Sequence, residues 1–75
     1  MKYHDGQEIF VNDRVDLGGG MTGVVVCDFD NEIYHKEFPG DYWGEFEVGV
    51  MVKSKEAGLV HFSVLDTHLS LVERE

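Results

Sequence analysis

A single cysteine, a single proline and only six lysines and arginines stand in this 75-residue chain. Each shortage excludes something. One thiol, Cys27, cannot form an intramolecular disulfide, so the fold must rest on its apolar core. Lying between Val26 and Asp28, Cys27 reads as a small buried hydrophobe rather than a nucleophile. No apolar run reaches the length needed to cross a bilayer, and the opening Met1-Lys2-Tyr3-His4-Asp5-Gly6 lacks the apolar stretch of a signal peptide, which points to the cytoplasm. Fifteen Asp and Glu against six cations give a formal net charge of -9. That charge repels phosphate backbones and anionic headgroups alike, so neither nucleic acid nor a membrane is the expected partner, and a cationic one is favoured. The same acidity also keeps a small domain dissolved.

What is present is a period of two. Apolar alternation runs through most of the chain and glycines fall between the apolar runs as turns, which predicts an all-β fold in one domain, residues 1–75. A chain this short buries only about 60% of the surface its unfolded form exposes, so modest stability is expected. Strands are predicted at residues 9–11, 14–17, 23–27, 48–52, 59–65 and 69–72. Asn12 and Asp13 form a tight turn, Gly18, Gly19 and Gly20 a bend, and residues 53–58 a hairpin loop. Five or six short strands are too few for an ordinary sandwich but can curl into a small, strongly bent barrel with few free edges. A long connection separates the two central strands, and Pro39 can open one short helical turn through Gly40, Asp41, Tyr42 and Trp43.

Several spacings resemble known chemistry and fail on context. Gly18, Gly20 and Gly23 satisfy G-x-G-x-x-G, yet Val24, Val25 and Val26 follow where a helix would have to begin, and no lysine and hydroxyl pair makes a Walker loop. Asp28, Asp30 and Glu32 alternate like calcium ligands without the central glycine and distal glutamate such a loop needs. His4, His35, His61 and His68 are scattered, with no ligand pair among them, so no metal and no cofactor are expected. Glu45 and Glu47 would share a strand face, but no nucleophile or oxyanion donor set accompanies them. A non-catalytic protein is therefore expected. His61, out of phase with Val60 and Phe62, should face water or an interface.

The long connection is the distinctive stretch. Residues 28–47 hold seven of the fifteen carboxylates (Asp28, Asp30, Glu32, Glu37, Asp41, Glu45, Glu47) and six of the nine aromatics (Phe29, Tyr34, Phe38, Tyr42, Trp43, Phe46), against Lys36 alone. Rings anchor interfaces and clustered carboxylates speed the approach of a basic surface. The candidate partner-binding residues are thus Asp28, Asp30, Glu32, Tyr34, Glu37, Asp41, Tyr42, Trp43, Glu45 and Glu47. Phe29, Phe38 and Phe46 suit the ends of a barrel too small to fill itself, while core and interface both fit Tyr42 and Trp43.

Asn12-Asp13-Arg14-Val15, the glycine turn at Gly18, Gly19 and Gly20, and Gly23-Val24-Val25-Val26 resemble the opening of Src-homology-3-like small barrels, including KOW domains. This covers about a third of the chain. Asn12 replaces the usual glycine, and acids replace the basic residues with which KOW domains meet RNA. With Tyr42-Trp43 and Gly58-Leu59-Val60-His61 added, the whole chain is similar to small acidic bacterial barrels associated with toxin and immunity gene clusters. That resemblance implies an immunity protein binding a basic toxin such as a nuclease. The alternative is a Src-homology-3-like accessory module, with self-association into a homo-oligomer open to it, that binds a peptide or a complex without inhibiting anything.

Overall fold

Six antiparallel strands form a single sheet in the computed structural model, which describes residues 1–44, 46–64 and 68–74, with the backbone alone at Asp41 and Tyr42. In chain order they are β1 (Arg14–Gly18), β2 (Met21–Asp28), β3 (Ile33–Tyr34), β4 (Val50–Ser54), β5 (Gly58–Phe62) and β6 (Ser70–Glu73). The strand order is β5-β4-β2-β1-β6, with β3 paired to the far end of β2 beyond β1. The expected all-β class holds. Along this ladder the sheet is not closed: β5 and β6 are its two ends.

The sheet nevertheless curls. Val15, Val25, Val50 and Val52 point into one buried cluster with Tyr3, Ile9 and Leu69, and Phe62 from β5 and Leu71 from β6 pack against that same cluster from opposite ends of the strand order. β2 makes the bend. Its register slips between Val25 and Cys27, a bulge that increases local twist and turns two successive residues toward one side. Val25 accordingly faces the inner cluster, whereas Val26 and Cys27 both belong to a second buried cluster on the outer face.

Several sequence expectations move. Residues 9–11 are not a strand: Ile9 is sealed in the inner core, and the isolated bridge nearby pairs Lys2 with Glu8 without extending into them. The strand expected from residue 48 begins at Val50, because Gly49 has φ +85° and a side chain there would strike the Phe62 carbonyl. Lys53 and Ser54 extend β4 instead of opening the hairpin loop. The buried Ser54 hydroxyl then accepts the Glu56 and Ala57 amides at 3.2 and 3.1 Å, closing a tighter turn. β5 stops at Phe62, and the expected Leu65 end lies outside the described residues. β3 was not expected. The glycine bend, the Asn12 turn (φ 80°) and a 3₁₀ turn at Gly40–Trp43 behind Pro39 are where the sequence puts them.

Asp13 is more than a turn residue. Its carboxylate is buried and accepts the Tyr3 hydroxyl at 2.6 Å, the Phe10 amide at 3.0 Å, and Arg74 Nε and Nη2 at 2.9 and 3.1 Å. Arg74 also donates to the Glu8 carbonyl and covers the Phe10 ring. Burial works to raise the Asp13 pKa, but the bonds from Arg74, Tyr3 and Phe10 outweigh it and hold the carboxyl below its ordinary range. Tyr3 is pushed in the other direction, first by burial and then by its bond to Asp13.

Candidate functional site

The acidic and aromatic connection folds back onto the outer face of the sheet. Met51 of β4 and Val26 of β2 would be exposed there, and Phe29 and Trp43 cover them, with Tyr34 and Phe38 packed alongside. The rings meet in tilted, edge-on and stacked pairs. Phe29 lies 6.1 Å from both Tyr34 and Trp43 and stacks on Phe46 at 5.5 Å, while Phe38 stacks on Trp43 at 5.9 Å. The Phe38 carbonyl accepts Trp43 Nε1 at 3.3 Å, so the indole is held by its polar edge as well as its faces. Cys27 sits beneath this layer, where burial pushes its thiol up to about 11 against a smaller opposing pull from Trp43.

Two carboxylates of the segment brace it. Asp28 is 1% exposed and accepts the Asn31 side-chain amide at 2.8 Å, closing the loop after β2. Asp30 accepts the Gly49 amide at 3.0 Å, tying that loop to the start of β4, and this bond holds its carboxyl below the usual range.

The sequence-predicted site residues therefore separate into layers. Trp43, 7% exposed, and Asp28 lie inside, and Tyr34 is half-buried. Asp30, Glu32, Glu37 and Glu47 are on the surface. The side chains of Asp41 and Tyr42, and Glu45 altogether, lie outside the described residues. Sequence reasoning missed the apolar members of this surface. Phe46 is 38% and Val48 54% exposed, next to Glu47 and beside the Asp30–Gly49 bond, and Ile33 is exposed beside Glu32. His61 completes the patch. Its ring packs edge-on against Phe46 at 4.7 Å and Phe29 at 5.7 Å, and Nε2 donates to the Val48 carbonyl at 2.9 Å. The phase of β5 placed His61 on the outer face, but nothing in its sequence neighbours pointed to Phe46.

The surface thus presents partly exposed rings and aliphatics on a buried aromatic bed, with exposed carboxylates on the same segment. Among the described residues, no group of three or more His, Cys, Asp and Glu side chains could hold a metal ion, and no helix is long and apolar enough to cross a membrane. No family model, curated protein or solved structure matches the chain.

Proposed function

We propose that this chain is a non-catalytic protein-binding domain that docks a basic protein surface through the acidic edge of its aromatic layer, and that it acts as an immunity protein on a basic toxin such as a nuclease. The observation that carries the proposal is the exposure of Phe46 and Val48 between Asp30 and Glu47. An apolar centre with a polar rim is the usual anatomy of a recognition patch, and here the rim carries Glu47 together with Asp30, whose carboxylate is paired with the Met1 ammonium at 3.3 Å. Trp43 and Asp28 act from beneath, Trp43 as the bed of the patch and Asp28 as the clamp of its loop. Glu32 and Glu37 add to the field that draws a cationic partner in. A Src-homology-3-like barrel is the architecture we assign to it. In support, bent β2 serves two three-stranded halves, and strands from both ends of the order pack on one core.

The test is cross-linking capture from the native host with the parent chain and with a Glu32→Lys/Glu37→Lys/Glu47→Lys variant, followed by an activity assay of the captured protein. The proposal expects a partner with a basic cleft, held by the parent, lost by the variant, and inhibited in the assay. Equal capture by both chains overturns the surface assignment. Capture without inhibition overturns the immunity role and leaves the accessory module.

A further inference from the structure

The aromatic layer covers only one end of the outer face. Beyond its Phe38 edge a row of paired residues crosses five strands: Leu59, Lys53, Val24, Arg14 and Glu73. Beside it opens a cleft of about 570 Å³, within the range of small-ligand sites. Arg14, Lys53 and Lys55 line it around the apolar floor of Val24 and Val72, with Glu73 as the lining carboxylate. Three of the six cations of a chain with net charge -9 thus meet in one place.

We propose that this cleft is a second binding site, distinct from the acidic patch, that takes a short acidic peptide in extended form with one aliphatic residue between its carboxylates. Charge complementarity and the floor select that occupant. Adjacent strands are about 4.8 Å apart, so Arg14 and Lys53, two ladder steps from one another, stand about 10 Å apart at the backbone, within reach of carboxylates two or three residues apart. Val24 lies between them in the row, and Val72, 64% exposed, offers the aliphatic contact. The cations are available. Arg14 is held by Glu73 at 3.6 Å with both side chains well exposed, a weak pair that a ligand carboxylate can replace, and Lys53 rests over the Phe38 ring at 5.6 Å. Glu56, which accepts the Thr22 amide at the rim, adds a second negative charge that a long polyanion would meet along with the rest of the acidic surface. A short ligand avoids most of that repulsion.

The test is fluorescence anisotropy at low salt with three labelled probes: Ac-Glu-Asp-Val-Asp-Glu-amide, its neutral analogue Ac-Gln-Asn-Val-Asn-Gln-amide, and a pentathymidylate. The acidic peptide should bind, about tenfold or more tighter than the neutral one. Arg14→Gln/Lys53→Gln should weaken it about tenfold, and Glu73→Gln, which removes the competing carboxylate, should tighten it about two- to threefold. Equal binding of the acidic and neutral peptides overturns the proposal without any variant. So does thymidylate binding as tightly as the peptide. Sedimentation showing self-association that the Arg14/Lys53 variant abolishes would assign the cleft to a second copy and also overturn it.

Discussion

Asp13 is the residue on which the ends of the described fold converge, since Tyr3 and Arg74 reach it from ten and sixty-one residues away. Removing the carboxylate leaves a buried hydroxyl and an amide without an acceptor, so Asp13→Ala should cost about 2–4 kcal/mol in chemical denaturation. Its depressed pKa also fixes a sign. The stabilisation is present above the unfolded carboxylate value of about 3.9 and is lost as pH falls through the lower folded value. Denaturation midpoints of the parent should therefore drop below about pH 4 more steeply than those of Asp13→Asn. Cys27 gives a second residue-scale expectation. Buried, with its thiol pushed up to about 11, it should react with a thiol reagent at pH 8 about a hundredfold or more slower than free cysteine, and at the free rate once unfolded.

At the scale of elements, the aromatic connection is a second layer laid on the sheet, and the continuous apolar runs of β2 and β4 already demanded one. A strand apolar at every position, as β4 is from Val50 to Val52, must be covered on both faces. The sequence also offered most of its rings in a single stretch. What it concealed was the division of labour among them. Nothing local distinguishes Trp43, which is inside among Phe29, Phe38 and Met51, from Phe46, which is half out against Phe29 and His61, because the difference arises only when the segment packs on the outer face. Similarly, residues 9–11 carry a strand pattern, but Ile9 reaches the core from a loop, and Asp13 reads as a turn residue until its distant partners are in place. Thermal and denaturant unfolding should separate the two rings: Trp43→Ala opens a cavity against Phe29, Phe38 and Met51 and should cost about 3–5 kcal/mol, whereas Phe46→Ala should cost about 1 kcal/mol. Equal costs would contradict the layering.

For the whole molecule, charge segregates although the total is strongly negative. Exposed carboxylates lie along the aromatic segment, and half of the cations gather beside it on the same outer face, where Lys53 meets its Phe38 edge. The all-β class and most strand positions were legible from alternation and glycine punctuation. The curl of the sheet and the pairing of its surfaces depend on registers and bulges that no local pattern encodes. The central claim is that a basic protein docks on Phe46 and Val48 within their acidic surround, and the most direct measurement is the association and dissociation rates of the captured partner as ionic strength rises. The account predicts that salt slows association, that Glu32→Lys/Glu37→Lys/Glu47→Lys slows it at least tenfold at low salt, and that Phe46→Ala chiefly speeds release. Association rates indifferent to both salt and charge reversal would contradict it.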